Sequence, residues 1–348
     1  MVNNSVEDDR VYERFQLIVN GPALFNSLVA AIDLDVFAFL KAHPGASFAE
    51  LRKFTQLPEH SLRVLMFALC ATELIDKRDE GYVNSSVADV TLATDRPDSW
   101  HRTLKGWQRF QYPAFPHLTS ALRSGENTAL AAYPGSGETL YARIASDPEA
   151  MTSYHDLMSP FTNLFLPALA ESSELSSVRH LLDVGGGDGT TARHLAGRYP
   201  DMRVTVFDMP SVAAHAHQRS DPELGDRVRL LAGDLFSDPF PDDVDGILFS
   251  HVLEPFSGEL TKSLLAKAFD VLPAGGKLFT YGTTASDDER RGLLAARLSV
   301  YLNVLVSKGG MAHPAKDYER WLWEVGCHTV KSFTDLPYEH GLVVGAKK

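Results

Sequence analysis

The chain is poor in cysteine, in positive charge and in long apolar runs, and each shortage closes off a class of function. Cys70 and Cys327 are the only cysteines in 348 residues, and neither has a second cysteine at metal or redox spacing. This excludes a disulfide-stapled secreted scaffold and a cysteine-rich zinc module, and it makes a reducing, cytoplasmic setting the expected one. Lysine and arginine number 33 against 45 aspartates and glutamates, a net charge of −12. Phosphate backbones and anionic membrane surfaces call for the opposite sign, so neither nucleic acid nor membrane is expected as a partner. No apolar run approaches the roughly 18 residues of a membrane span. The opening MVNNSVEDDRVYERF is too acidic for a signal peptide. No internal repeat or low-complexity tract is present. The length suffices for two domains, each with its own core.

What is present is concentrated in residues 181–189, Leu-Leu-Asp-Val-Gly-Gly-Gly-Asp-Gly. An apolar run, read as a buried strand, ends in a glycine-rich turn, and Thr-Thr-Ala-Arg-His-Leu-Ala then starts a helical pattern. Gly185, Gly187 and Gly189 let the backbone approach a ligand closely, where any side chain would block it. The helix N-terminus that follows favours negative groups. Asp208 ends the next apolar strand about 20 residues further on, a spacing that suits a carboxylate holding ribose hydroxyls. A third station follows the strand Val228–Leu231, in Ala232-Gly233-Asp234-Leu235-Phe236. There Asp234 can accept from an adenine amino group between Leu235 and Phe236. A nicotinamide or flavin dehydrogenase would carry G-x-G-x-x-G; here the spacing is G-x-G-x-G, with Asp183 two residues before the first glycine.

With these three stations the chain resembles a class I S-adenosylmethionine-dependent methyltransferase. Over most of its length it is similar to the small-molecule O-methyltransferases that include the caffeate, acetylserotonin and bacterial polyketide enzymes. LLDVGGGDGTTARHLAGRYP, VTVFDMPSV, AGDLF and LPAGGKLFTYG carry the likeness. The resemblance implies an α/β fold, with a doubly wound, mainly parallel, Rossmann-like sheet behind an N-terminal winged-helix dimerisation domain. It implies S-adenosylmethionine as cofactor, with Asp183, Gly185 and Gly187 at its methionine end and Asp208 on the ribose. Asp234 and Leu235 would hold the adenine, Met209 would pack on its face, and Ser250 would close the site at the next strand end. Methyl transfer to a small aromatic metabolite is implied, O-methylation by default. Carbon methylation of an aromatic, keto or amino-acid-like acceptor is the alternative, as is a cofactor-binding homologue with another chemistry or a regulatory role.

The expected domains are 1–105 and 106–348, the latter opening with a helical acceptor-pocket segment at 106–170. In the first, Ser47-Phe-Ala-Glu50 is a capping box, Pro58 suits the first turn of a second helix, and Asp76–Val83 reads as a hairpin. This is the winged-helix order. Its candidate recognition helix offers one arginine and no lysine among apolar side chains, which serves packing better than base or phosphate readout. The apolar face of residues 15–32 exceeds what such a module needs to cover its own core, so a homodimer is expected. In 100–170 aromatics abound and most are read as core. The resemblance places Met158, in Tyr154-His155-Asp-Leu-Met158, against a flat acceptor, with Trp107 near a further pocket position and His155 beside it.

The chain departs from its resembled family at the base. That family's histidine follows the fourth sheet strand in a His-Asp-Trp motif; here the register gives Glu254-Pro255-Phe256. Its orienting carboxylate lies in a late Gly-x-Glu-Arg-Thr segment; here Ala312 stands in that place, in Gly310-Met311-Ala312-His313. Glu254 is one candidate base, its pKa expected to rise in an apolar pocket. Pro255 is expected to hold it extended, projecting toward the transferred methyl group. His251 or His313 is another, since imidazole titrates near neutrality. A mechanism without a protein base is the third. His215 and His217 are expected to be solvated. His251, Glu254, His313, His155 and Asp156 share no recognised metal spacing, so no metal is expected.

Overall fold

The computed structural model of the chain describes residues 6–79, 81–93, 100–144, 147–210, 212 and 225–348. They form two compact units, Met1–Gln108 and Arg109–Lys348. His215 and His217 lie outside the described residues.

The first unit is helical. Val6–Val19, Gly21–Asp33 and Val36–Ala42 lead into Phe48–Thr55 and Glu59–Ala71. The capping box forms: Ser47 Oγ accepts from the Glu50 N–H, and Glu50 Oε2 accepts from the Ser47 N–H at 2.8 Å. A short strand β1 (Ala46–Ser47) and the hairpin of β2 (Ile75–Arg78) and β3 (Gly81–Asn84) make a sheet of order β1-β3-β2. At Gly81 a Cβ would stand 2.3 Å from the Gly45 carbonyl oxygen, so this close approach needs glycine. Val29, Ile32, Phe37, Leu40, Leu51, Leu62, Met66, Leu69 and Ile75 are buried. The segment before Arg109 stays with this unit because Gln108 Nε2 donates to Asn26 Oδ1 at 2.6 Å and Lys105 pairs with Asp33. Among the described residues no single helix is long and apolar enough to cross a membrane; Asp9–Val19 and Gly21–Asp33 reach that length only together, bent by 67°.

The second unit is a seven-stranded sheet between helices. Its strands are β4 (His180–Val184), β5 (Arg203–Asp208), β6 (Val228–Ala232), β7 (Gly246–Ser250), β8 (Lys277–Thr283), β9 (Thr329–Leu336) and β10 (His340–Ala346). The order is β6-β5-β4-β7-β8-β10-β9. Strands β4 to β8 pair in parallel, and β10 runs antiparallel to β8 and β9. This is the mainly parallel α/β sheet the motifs imply, finished by a C-terminal hairpin. Because side chains alternate across a strand, Leu182 and Val184 pack with Leu264, Leu265, Trp321 and Leu322. Leu181 faces the other way, with Phe165, Leu169 and Leu195. The chain enters the sheet at β4, winds outward to β6, then crosses back to β7. The order therefore reverses between β4 and β7, and such a reversal opens a crevice beyond the carboxyl ends of the strands.

Phe279 is fully buried at the centre of β8, in the cluster with Leu248 and Val344. Phe279→Ala removes an aromatic ring from a site that cannot collapse. It is expected to cost about 3–5 kcal/mol, read as a lower urea midpoint at unchanged slope.

Candidate active site at the carboxyl edge of the sheet

The crevice holds a cavity of about 270 Å³. Its walls come from the loops after β4, β5, β6 and β7 and from the helix Pro148–Ala170. After β4 the chain turns through Gly185 (φ +68°), Gly187 (φ +59°) and Gly189 (φ +77°), all in the left-handed region that favours glycine. The Gly185 N–H donates to the Phe207 carbonyl at 2.7 Å, and a Cβ on Gly185 would fall 2.7 Å from Val252 Cγ2. A Cβ on Gly187 would meet no atom within 4 Å, and that residue lines the cavity.

Two carboxylates stand against this turn. Asp208, at the end of β5, accepts from the Gly187 N–H at 2.8 Å and the Met209 N–H at 2.7 Å. Its pKa is nonetheless raised, burial outweighing those two hydrogen bonds. Asp183 shares the face of Leu181, has zero exposure, and neither of its oxygens has a hydrogen-bond partner. Burial first, and the neighbouring Asp208 second, push its pKa up to about 8. A carboxyl in a core position with no protein donor awaits a partner from the cavity that it lines.

After β7 the backbone breaks. His251 adopts φ +57°, a left-handed conformation costing a non-glycine residue about 1–2 kcal/mol. Its N–H donates to the Tyr281 carbonyl at 2.8 Å. The imidazole packs among Phe161, Phe165, Tyr281 and His340 and lines the cavity. Its Nδ1 lies 3.6 Å from Glu254 Oε1, and its Nε2 is buried with no hydrogen-bond partner. Glu254 is 4% exposed and turns away from the cavity: Oε1 accepts from the Thr283 N–H at 3.2 Å. Its carboxyl borders a separate small space of about 10 Å³, beside Tyr318 and Gly282, room for about one water.

A family model described as an O-methyltransferase domain matches residues 115–328. The chain belongs to that family. It is an S-adenosylmethionine-dependent methyltransferase of small molecules. Among its relatives, a 3-hydroxy-5-methyl-1-naphthoate 3-O-methyltransferase of Streptomyces sahachiroi is 30% identical, over 92% of this chain and 91% of that one. An L-tyrosine C(3)-methyltransferase of Streptomyces lavendulae is 28% identical, over 95% and 91%. The apo crystal structure of the S-adenosylmethionine-dependent methyltransferase SibL superposes with a TM-score of 0.83 at 30% identity, covering 96% of this chain and 98% of that one.

The methyltransferase's own residues fit the cofactor. The glycine turn leaves room for close approach, and Asp183, buried and unpartnered, offers a carboxyl that a cationic group could pair with. Of the residues expected at the cofactor, Asp183, Gly185, Gly187, Asp208, Met209, Leu235 and Ser250 line the cavity. Asp234 does not: it is exposed at the rim, where its Oδ1 accepts from the Phe236 N–H at 2.7 Å. Gly233, Leu235 and Phe236 form the wall there instead. Met158 lines the cavity as expected. His155 lies in the helix Pro148–Ala170, but its side chain is outside the described residues. Trp107 belongs to the first unit, buried edge-on against Trp100 at 5.6 Å.

Two of the expected bases need correcting. Glu254 does not project toward the cavity, because the left-handed turn at His251 sends the loop back over β8, where the Thr283 N–H captures the carboxyl. His313 is not in the cavity wall. It is 6% exposed, with Nε2 3.1 Å from the Phe256 carbonyl and the ring edge-on to Trp321 at 5.0 Å. That arrangement ties the loop before the helix Ala315–Glu324. Among the described residues no three His, Cys, Asp or Glu side chains gather into a metal-holding group. Among the cavity residues missed by sequence reading are Tyr141, Tyr154 and Thr162, whose only signal is a scatter of aromatics and a threonine on helices.

Asp183 makes the fold's stability pH-dependent. Its pKa rises from 3.8 to about 8 on folding, so the folded chain keeps a proton that the unfolded chain releases. That contribution is fully present below pH 4 and lost as pH climbs to 8. Asp183→Asn removes the titration. The stability of wild type relative to this variant is therefore expected to fall by about 1.4 kcal/mol per pH unit between pH 5 and 7 and to level off above 8, measured by urea unfolding.

Proposed function

We propose that the cavity takes S-adenosylmethionine at its glycine-turn end and a phenolic acceptor at its Met158 end, with His251 removing the acceptor's hydroxyl proton. The observation that carries this reading is the position of His251. Among the described residues it is the one imidazole in the wall, on a strained backbone, with Glu254 on its Nδ1 side. The bound cofactor supplies a methyl group on a sulfonium, an electrophile that leaves as a neutral thioether. Asp183 offers its two oxygens to the cationic end of the cofactor. Asp208, already fixed by two backbone N–H groups, presents its remaining lone pairs to the ribose. Met209, Leu235 and Ser250 close the sides, and Asp234 stands at the adenine rim.

The proton passes to Nε2, the nitrogen no protein group occupies; because that atom is buried, the step requires the ring to turn toward the cavity as the acceptor enters. Glu254 stabilises the imidazolium that results. The deprotonated oxygen would then be held for the methyl group that a bound cofactor supplies. Positioning of this kind is worth roughly 7–11 kcal/mol, more than the 10²–10⁴-fold expected of a general base. The likeness to an L-tyrosine C(3)-methyltransferase favours a second reading with the same residues. A phenolate shares its charge between oxygen and the adjacent ring carbons, so the same deprotonation activates either atom.

The measurement is methyl transfer from labelled S-adenosylmethionine to a panel of phenols that includes 3-hydroxy-1-naphthoate and L-tyrosine, with NMR locating the new methyl. His251→Ala is expected to lose about 10²–10⁴-fold in kcat with cofactor affinity unchanged. Glu254→Gln, which takes away the imidazolium's counter-charge, is expected to lose less than His251→Ala. Unaltered turnover in His251→Ala would remove the base from this reading.

The first unit we assign to dimerisation. On the helix Val6–Val19, Tyr12, Phe15, Leu17 and Ile18 are each more than half exposed, as are Val64 and Phe67 on Glu59–Ala71. Apolar surface of this extent calls for a partner, and the partner proposed is a second copy. The free thiols Cys70 and Cys327 suit the cytoplasm. Light scattering at micromolar concentration is expected to give about twice the 38.3 kDa chain mass, and Phe15→Asp with Ile18→Asp to bring it down to one chain.

A further inference from the structure

Three tyrosines of the second unit, Tyr154 and Tyr301 buried and Tyr141 half-buried, differ from Tyr133, Tyr199 and Tyr281. Tyr133, Tyr199 and Tyr281 each end on a backbone carbonyl, those of Phe110, Ala170 and Phe165. Tyr141, Tyr154 and Tyr301 instead bond to one another. The Tyr154 hydroxyl donates to Tyr141 at 3.1 Å and lies 3.4 Å from that of Tyr301. They come from three separate helices, Leu140–Ile144, Pro148–Ala170 and Leu293–Tyr301. Since Tyr154 gives its proton to Tyr141, Tyr301 must donate to Tyr154, and the chain runs one way. It ends at Tyr141, which with Tyr154 lines the cavity. Among the described residues no acceptor is paired with the Tyr141 proton.

At the far end burial raises the Tyr301 pKa, and the Arg297 guanidinium acts against that rise. Burial, Tyr154 and the carboxylates of Glu254 and Asp208 push the Tyr141 pKa well up. Tyr141 therefore stays a donor across the working pH range. The same carboxylates make the cavity unfavourable for a second negative charge.

We propose that the Tyr301–Tyr154–Tyr141 hydroxyl chain orients the acceptor, Tyr141 donating to a neutral second oxygen that the acceptor carries beside the hydroxyl deprotonated by His251. The acceptor class is thus an aromatic with two neighbouring oxygen functions, such as a diphenol or a hydroxy-ketone, and not a simple phenol. Tyr141 is the residue that touches the acceptor; Tyr154 and Tyr301 act through it as positioning residues. This inference rests on the reading of the cavity as the acceptor site.

The test compares 2,3-dihydroxynaphthalene with 2-naphthol, two fluorescent probes of one shape that differ by the second oxygen. Each is titrated into enzyme loaded with S-adenosylhomocysteine. Wild type is expected to bind the diphenol about tenfold more tightly, the worth of one hydrogen bond. Tyr141→Phe is expected to bring the two probes to parity, with 2-naphthol and S-adenosylhomocysteine affinities unchanged. Tyr154→Phe, which keeps the Tyr141 hydroxyl but cuts the chain behind it, is expected to retain a reduced preference. A preference that survives Tyr141→Phe, or a wild type that shows none, overturns the inference while leaving the acceptor site in place. An equal loss for both probes in Tyr141→Phe overturns it by showing a structural role. Failure of wild type to bind either probe, with S-adenosylhomocysteine bound normally, overturns the acceptor-site reading beneath it.

Discussion

The absence of a side chain at Gly185 lets two loops share one place. A Cβ there would lie 2.7 Å from Val252, so the turn after β4 and the loop after β7 meet only because that atom is missing. The contact spans the reversal in strand order, where the sheet leaves a crevice. On one side it holds the glycine turn against Asp183 and Asp208. On the other it fixes the loop in which His251 takes its left-handed conformation. Both sides of the cavity are thereby set by one contact of backbone against the Val252 side chain, and the energy stored at His251 is held by packing on both sides.

What the sequence made legible was what neighbouring residues decide. The strand, glycine turn and helix at residues 181–198 are one continuous local signal, and the cavity is lined by the residues that signal names. The covering of β4 on both faces also explains why Asp183 is buried: every residue of that strand is, and Asp183 sits where an apolar residue would sit, one step from Leu182. Glu254 and His313 were misplaced for the opposite reason. Their side chains go where partners distant in sequence take them, to the Thr283 N–H and the Phe256 carbonyl. A motif register aligns backbones, but it does not say which way a loop turns after a residue with positive φ. Asp234 shows the same limit on a smaller scale, since its own loop uses one of its oxygens to hold Phe236. The tyrosine chain was invisible because its three helices meet only in the folded chain.

The local charge arrangement sorts these groups by the task each can perform. Asp183, Asp208 and Glu254 are all buried or nearly so, and none has a lysine or arginine ion pair among the described residues. Burying a carboxylate is tolerable when backbone N–H groups or a cationic ligand compensate it. Asp208 is compensated by two N–H groups, Glu254 by one N–H and an imidazole, and Asp183 by nothing in the protein. The least compensated carboxyl is therefore the one with most to gain from a positive ligand, and the best anchored one is suited to hold neutral hydroxyls. Glu254, shut away from the cavity, gains most from a charge that appears on His251.

This last point bears on how the chain can do without the base pair of the family it belongs to. The resembled motif draws an imidazole from the loop after the fourth strand and a carboxylate from a segment some sixty residues later. Here that later segment offers Ala312, buried, with its N–H donating to Ser299 Oγ at 3.0 Å. In the proposed mechanism both members of the pair come from one loop, three residues apart, with a carboxylate at the position where the resembled motif carries its imidazole. The exchange needs a backbone that brings residues 251 and 254 side by side while keeping only the first in the cavity wall. An extended continuation of β7 would put them on opposite faces; the positive φ at His251 turns the chain so that they meet. In the proposed mechanism the strained residue is the one whose conformation the rearranged pair requires, which gives the strain a cause in the chemistry and not in the packing alone.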